Sequence, residues 1–418
     1  MSVKRSGLFG TMRRFWIAMC IPLAFLFLLI SRAVSPIVTV RIFCVPMRIG
    51  HMVNEGGRQI IEREDGIQGS PRRRIITFCY LENPTYTNKV AYRELKRLAR
   101  WVNLPRSIGV TSIHLARRIR WFAVVEHRAP GGSTDDVFFQ QKWTHTFRPT
   151  SAERDRIASG LMELGVHINS RIAAFLVRDS NYLSTLGTND EHLKRHAHRD
   201  CRIANYSEGV ATAICRGYTC LRVGRETGNS NAEPIVGLVG YSLHNIQSDL
   251  LDVALAERAS VIFTCSSGLD CLYWLYGAAH VGVNLQWLDG RFEHFITALP
   301  KRLFVRDGER RLELPILASV MPDFQIGTHG ATWSGETVEF QENSPSEIAE
   351  VVDLALTMLD DAEIREQRIS IAAPLWREFN QRLPSSNLPD AFKQRFPRFG
   401  LPDSVMSRFL TTDAIRPR

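Results

Sequence analysis

The sequence lacks the cysteine spacings that hold a metal ion or a disulfide framework. Its eight cysteines stand at positions 20, 44, 79, 201, 215, 220, 265 and 271, and none forms a C-x-x-C pair. Several lie inside apolar runs, where cysteine behaves as a small hydrophobic residue. This pattern argues against a zinc site or a disulfide-rich fold, and it predicts free thiols in a reducing compartment.

The chain also lacks a hydrophobic run of ordinary transmembrane length. The uncharged run from Phe15 to Ile30 has sixteen residues and would span about 24 Å as a helix, against roughly 30 Å of membrane hydrocarbon. No convincing small-x-small cleavage site follows, which disfavours a signal peptide. A spanning anchor that buries Arg32 and a re-entrant or interfacial helix broken near Pro22 both stay open. We expect residues 1–35 to be a membrane-associated segment, with the catalytic part in the cytoplasm.

Acidic residues are scarce in the first third of the chain. Residues 1–130 contain 22 Lys and Arg against 7 Asp and Glu, a formal charge of +15, and the remaining residues carry −6. This asymmetry predicts that the first domain meets an anionic partner. The sequence has no nucleic-acid recognition motif, so we expect an anionic membrane surface or a phosphorylated acceptor instead. The plainer alternative is a solvated basic surface.

From residue 172 onward, apolar strands alternate with helices over short connections. Strands are predicted over 172–177, 218–223, 234–239, 260–264 and 281–284, and helices over 201–215, 247–258, 269–276 and 344–360. Such alternation is typical of an α/β fold with a parallel sheet. Upstream, strands are predicted over 37–45 and 74–80, and Thr150 with Glu153 forms a capping box. We therefore predict domains over 36–160 and 161–375, and a C-terminal tail over 376–418.

Three of the predicted strands end in residues that suit an anionic ligand, which α/β sheets bind at the carboxyl ends of their strands. These residues are Arg178 and Asp179 after the first strand, Arg222 and Gly224 at the second, and Ser266, Ser267 and Gly268 after the third. Arginine binds phosphate bidentately, and the serine turn could hold a phosphate at a helix N-terminus. The plainer interpretations are a surface ion pair, a solvated turn and an ordinary helix cap.

The order of short motifs resembles a known family. The motifs are V-R-D-S-x-Y-L at 177–183, H-R-D at 198–200, G-Y-x-x-x-R-x-G at 217–224, S-D-L-L-D-V at 248–253 and S-S-G-L at 266–269. Together they resemble a bacterial glycosyltransferase family found in polysaccharide and surface-glycan settings. The segment 172–284 is also distantly similar to fucosyltransferases and heptosyltransferases of the GT-B type.

The resemblance implies a GT-B-like fold, with two Rossmann-like domains facing a cleft behind an N-terminal membrane helix. It implies a nucleotide-sugar donor in the C-terminal domain and a lipid-linked or surface-glycan acceptor in the N-terminal one, in polysaccharide biosynthesis. The chain contains no D-x-D triplet, so we expect no metal cofactor. Arg178 and Arg222 would then balance the charge of the departing diphosphate.

Further site residues follow from the chemistry of transfer. His51 is our candidate general base, because it titrates near neutrality and is predicted in a glycine turn between the domains; a local cap is the alternative. Asp252 and Asn284 are expected on the donor side, although Asp252 could serve its helix instead. The other function that stays open is a non-catalytic GT-B-like partner that binds a nucleotide or glycan.

Overall fold

The computed structural model describes residues 5–64, 74–83, 87–123, 125–128, 145–178, 197–224, 234–241, 245–286, 295–320, 323–327, 330–382 and 400–409. The chain divides into two compact units, Met1–Phe138 and Phe139–Arg418. The sequence pattern predicts a boundary at residue 160. The helix over 151–163 belongs to the second unit, where the backbone of Gly160 lies close against the side chain of Leu251.

The first unit is built on a four-stranded parallel sheet. Its elements are α1 (Arg5–Val34), β1 (Thr39–Val45), α2 (Ile49–Glu64), β2 (Ile75–Leu81), α3 (Lys89–Ala99), β3 (Val102–Asn103), α4 (Arg106–Arg118) and β4 (Glu126–Arg128). The strand order is β3-β2-β1-β4, and β1 pairs in parallel with β2 and β4. The apolar, β-branched sequence of β1 suits a strand that is buried on both faces.

Helix α1 contributes to the core of this unit rather than standing apart from it as a separate segment over 1–35. Ala24 and Leu28 are fully buried and Ser31 is 3% exposed. These positions share one helical stripe, and Leu28 packs with Ile42 and Phe122. The three-to-four-residue spacing is that of an amphipathic helix that covers a core with one face.

Within the described residues, the structure contains no helix whose length and apolar character would let it cross a membrane.

Helix α4 approaches β2 so closely that a side chain at position 109 has no room. A Cβ atom built on Gly109 would lie 2.4 Å from Cδ1 of Tyr80. We expect Gly109→Val to lower the free energy of unfolding by about 1–3 kcal/mol, because the helix or the ring must shift. Chemical denaturation followed by circular dichroism measures this loss. Val110→Ala, at an exposed position on the same helix, is the control, and an equal midpoint for both variants would contradict the packing.

The second unit is built on a six-stranded parallel sheet, as the strand–helix alternation predicts. Its elements to the last strand of this sheet are α5 (Ser151–Glu163), β5 (Arg171–Leu176), α6 (Ser207–Cys215), β6 (Tyr218–Arg222), β7 (Leu238–Gly240), α7 (Asp249–Arg258), β8 (Ala259–Thr264), α8 (Asp270–Leu275), β9 (Ala279–Leu285) and β10 (Phe295–Pro300). The capping box of Thr150 and Glu153 is confirmed at the start of α5.

The strand order of this sheet is β10-β9-β8-β5-β6-β7. The chain builds outward from β5 through β6 to β7, then returns to β8 on the other side of β5 and builds outward again. This is the doubly wound order, and its switch point lies between β5 and β8. In such sheets the crevice at the carboxyl ends of the two switch-point strands is the usual place for a ligand.

Residues 302–341 form two small antiparallel sheets that the sequence analysis does not predict. Their strands are β11 (Arg302–Asp307), β12 (Arg310–Leu314), β13 (Phe324–Gly327), β14 (Gly330–Trp333), β15 (Glu336–Thr337) and β16 (Glu339–Gln341). The orders are β12-β11-β16 and β13-β14-β15. Both sheets share a small core that includes Leu303, Leu314 and Phe324.

The described part of the C-terminal region is packed structure rather than the predicted tail over 376–418. Helix α9 (Pro345–Asp360) begins at the predicted position with a capping box of Ser344 and Glu347. Helices α10 (Ala362–Arg382) and α11 (Asp403–Phe409) follow. Trp376 is 2% exposed, Leu401 is fully buried, and Gly400 forms a parallel bridge with Thr297 of β10. These residues therefore complete the core of the second unit.

Candidate functional site

Strand β5 places Arg178 beside the switch point of the second sheet. Two residues after the strand ends, the Arg178 N–H donates a hydrogen bond of 3.3 Å to Sγ of Cys265, which directly follows β8. The Arg178 carbonyl accepts a 2.9 Å hydrogen bond from the N–H of Cys201. The backbone of Arg178 is thus held from both sides, by the segment after β8 and by the segment that leads into α6.

The guanidinium of Arg178 forms an ion pair with a nearby carboxylate. Its Nε atom lies 3.2 Å from Oδ1 of Asp200, and the two side chains are 13% and 24% exposed. Asp200 follows a 3-10 turn, Ala197–Arg199, that sits at the same edge of the sheet. This partial burial strengthens the field of the guanidinium compared with a fully solvated arginine.

Two further cationic side chains belong to this turn or contact it. The Lys301 ammonium, on a residue only 3% exposed, donates to the carbonyl oxygens of His198 at 3.1 Å and of Asp200 at 2.6 Å. The Arg199 guanidinium donates to the carbonyl oxygen of Ser266, across the switch point. We call Arg178, Arg199, Asp200 and Lys301 the Arg178 cluster. The cluster contains three cationic side chains and one carboxylate, and this excess of positive charge suits an anion.

Two buried thiols lie beneath the cluster. The side chains of Cys201 and Cys265 are hydrogen-bonded to each other. The hydrogen bond from Cys201 lowers the pKa of the Cys265 thiol, and the Arg178 N–H and the Arg199 charge act in the same direction. The bond to Cys265 and burial raise the pKa of Cys201. Of the two thiols, Cys265 is therefore the one on which a negative charge is favoured.

The serine turn after β8 is less open to an anion than the sequence suggests. Ser266 has a left-handed backbone with φ of 63°, and its N–H donates to Oγ1 of Thr264 at 3.1 Å. Helix α8 has six residues, shorter than the predicted 269–276, and Asp270 stands in its first turn. Because a short helix has a small dipole and Asp270 is acidic, a phosphate would gain little here. The roles of Ser266, Ser267 and Gly268 stay predictions.

Strand β6 ends at the neighbouring position of the same edge. Arg222 is its last residue, pairs in register with Phe175 of β5, and is 8% exposed. Gly224 has φ of 106°, a conformation that favours glycine, and its carbonyl accepts a 3.0 Å hydrogen bond from Nε2 of Gln247. The end of β6 is therefore adjacent to that of β5, as an anion site over both strands requires.

Asp252 and Asn284, both expected on the donor side, make structural hydrogen bonds. Asp252 lies in the first turn of α7 and accepts a 3.0 Å bond from the Tyr241 hydroxyl. Oδ1 of the fully buried Asn284 accepts from the N–H of Asn343 at 2.8 Å and from its Nδ2 at 2.9 Å. Asn284 thereby ties the end of β9 to the start of α9. A donor contact for either residue stays a prediction.

The predicted general base lies in the first unit. His51 is half-buried in the first turn of α2, not in the glycine turn that the sequence suggests. Helix α2 follows β1, so His51 lies at the carboxyl edge of the first sheet. Asp179, the remaining predicted residue, lies outside the described residues.

Arg199 and Lys301 were missed as site residues in the sequence analysis. Arg199 belongs to the H-R-D motif at 198–200, which was noted without a role for the arginine. Lys301 directly follows β10, a strand that was not predicted. Had it been, the rule that ligand-binding residues follow parallel strands would have marked Lys301.

The described residues contain no group of three or more His, Cys, Asp or Glu side chains that could hold a metal ion.

No family model matches the chain, and no curated protein matches it. Among solved structures it is similar to the glycosyl transferase family 9 crystal structure from Veillonella parvula DSM 2008. The TM-score is 0.34 and the identity 10%, over 65% of this chain and 88% of that one. Function is therefore inferred from the geometry of the site alone.

Proposed function

We propose that the chain is a glycosyltransferase that takes its sugar from a nucleotide-sugar donor bound by the second unit. One observation carries the proposal. The Arg178 cluster lies at the carboxyl edge of a doubly wound sheet, next to the switch point between β5 and β8. This is where such sheets bind nucleotides.

The charges of the cluster suit a diphosphate. Arg178 can offer two parallel N–H groups to phosphate oxygens, and it is only partly committed to Asp200 through one 3.2 Å contact. The buried ammonium of Lys301 lies beneath the turn. It adds to the positive electrostatic potential at the site without contacting the ligand itself. During transfer, this preorganised positive charge would stabilise the diphosphate as it leaves the sugar.

The first unit supports a two-domain enzyme of the GT-B type. Its parallel order β3-β2-β1-β4 matches the order of the corresponding strands in the second unit. In the proposed reaction the first unit binds the acceptor, and His51, at the carboxyl edge of its sheet, takes the proton from the acceptor hydroxyl. The acceptor is a lipid-linked or surface glycan, made on the cytoplasmic side of a membrane during polysaccharide biosynthesis. No metal takes part.

A panel of ligands tests donor binding directly. We expect one among UDP-, GDP- and ADP-sugars to raise the midpoint of thermal unfolding by several degrees at about 100 times its Kd, since ligand binding then stabilises the folded state by about 2.7 kcal/mol. EDTA should leave the shift unchanged. A CMP-sugar, which has one phosphate, and the matching free nucleoside are the controls.

The outcomes separate the proposal from its alternatives. No shift with any nucleotide diphosphate, or a shift that EDTA removes, would contradict metal-free donor binding. A shift without release of nucleoside diphosphate in the presence of glycan acceptors would favour a non-catalytic binding partner. Release of the diphosphate, followed by chromatography, would support transfer or donor hydrolysis.

A further inference from the structure

Helix α1 leaves one face uncovered, and that face is apolar. Six large hydrophobic side chains of this helix are exposed: Ile21, Leu23, Phe25, Leu26, Ile30 and Val34. The helix has already buried its other stripe against the unit's core. A helix between a core and water normally carries polar residues on its outer face. A contiguous exposed apolar surface of this kind marks an interaction site.

The surface continues onto the neighbouring segment. Helix α1 packs against α4 and the following 3-10 turn, and the rings of Phe25 and Phe122 meet edge to face at 5.4 Å. In this turn Trp121 is 54% exposed, close to the exposed fractions of Leu23 and Leu26. The Arg32 guanidinium lies 5.7 Å from the centroid of the Trp121 ring. We call the six exposed α1 residues with Trp121 the apolar face.

The charged residues of the segments that carry or adjoin the apolar face, α1, α4 and residues 119–123, all have one sign. The sequences of α1, α4 and residues 119–123 contain no Asp or Glu. Arg106, Arg117, Arg118 and Arg120 are exposed on α4 and the turn after it. A second copy of the chain would bring the same positive charges against them. An anionic phospholipid surface offers both an apolar interior for the face and phosphate groups for the arginines.

We infer that the apolar face rests on an anionic membrane surface. Helix α1 lies along the surface with its exposed side chains among the upper acyl chains, as an interfacial helix does. Trp121 sits at the level of the headgroups, where aromatic rings with one polar edge are favoured. The arginines contact lipid phosphates beside it. This goes beyond donor binding by the second unit, and it can hold whether or not the chain transfers sugar.

Flotation of the full chain with vesicles tests the inference. We expect at least tenfold more binding to vesicles of 30% phosphatidylglycerol in phosphatidylcholine than to phosphatidylcholine alone, and a loss of that preference in high salt. The triple variant Leu23→Gln, Leu26→Gln, Ile30→Gln should bind at least tenfold less. The triple variant Arg117→Gln, Arg118→Gln, Arg120→Gln should lose most of the preference for anionic vesicles.

A matched control uses exposed apolar residues of the second unit. Met162→Gln and Ile168→Gln remove side chains that are 77% and 70% exposed, and they should leave flotation unchanged. Equal binding to neutral and anionic vesicles, or binding that neither triple variant reduces, would overturn the inference. So would a wild-type dimer that the leucine and isoleucine changes dissociate without any vesicle binding, because a second copy would then cover the face. If the first triple variant fails to fold, the arginine variant decides alone.

Discussion

Replacing Arg178 with alanine is expected to weaken binding of a nucleoside diphosphate by about 30-fold or more. Truncating one partner of a buried, hydrogen-bonded charge pair costs about 2–5 kcal/mol, and 2 kcal/mol corresponds to about 30-fold in Kd. Arg178 meets the conditions for such a loss, since its side chain is 13% exposed and its backbone is held by Cys201 and Cys265. Isothermal titration with the nucleotide that stabilises the wild type measures the change.

Substitution of Asp200, the ion-pair partner of Arg178, is a control for which the expected change in diphosphate affinity has the opposite sign. Asp200→Asn removes the competing carboxylate and leaves the arginine, so diphosphate binding should tighten or stay the same. Arg178→Lys keeps the charge but not the planar pair of donors, and it should recover only part of the affinity. If Arg178 only stabilises the turn at 198–200, Arg178→Ala and Asp200→Asn should lower stability alike and neither should change affinity. That pattern would remove Arg178 from the donor site.

The largest effect on stability is expected at Asn284. Asn284→Ala removes the acceptor of two buried hydrogen bonds, from the N–H and the Nδ2 of Asn343, which is 1% exposed. It also leaves alanine at φ of 55°, a conformation that costs roughly 1 kcal/mol. We expect a loss of about 3 kcal/mol in the free energy of unfolding of the second unit, most of it from the unpaired donors. Urea denaturation followed by circular dichroism measures this loss.

Ser334 offers a comparison without a buried network. It has φ of 50° and is exposed, and because serine already carries a Cβ in this conformation, Ser334→Ala adds no new backbone cost. The Asn284 variant should therefore be less stable than the Ser334 variant by about 3 kcal/mol, most of it the cost of leaving buried donors unpaired. Equal losses would show that the amide of Asn284 contributes nothing beyond its backbone.

Features with a local cause were predictable from the sequence. The capping box at Thr150 and the helix start at Ser344 both lie where the sequence places them, because each signal is made within four residues. Five of the six strands of the second sheet, all but β10, followed from short apolar runs between helices, and their parallel pairing followed from that alternation. The unit boundary was not predictable, because α5 joins the second unit through a contact with Leu251, far along the chain.

The site was predictable only where it depends on strand ends. Arg178 lies beside the switch point because it follows β5, which its sequence marks as a strand. Its partner Asp200 and the cations Arg199 and Lys301 reach it through packing of segments that are distant in sequence. Asn284 shows the same limit, since its hydrogen-bond partner lies 59 residues away. The sequence alone does not distinguish a polar residue at a strand end that binds a ligand from one that forms hydrogen bonds to another loop.

The bridge between Thr297 and Gly400 bears on how the protein is made. The described strands of the first unit end at Arg128, so that unit can fold early while the ribosome is still translating. The second unit needs Leu401 and Val405, both fully buried, to close its core. The chain must therefore emerge at least as far as Val405 before this unit is finished, and its unfinished sheet depends on protection from aggregation until then.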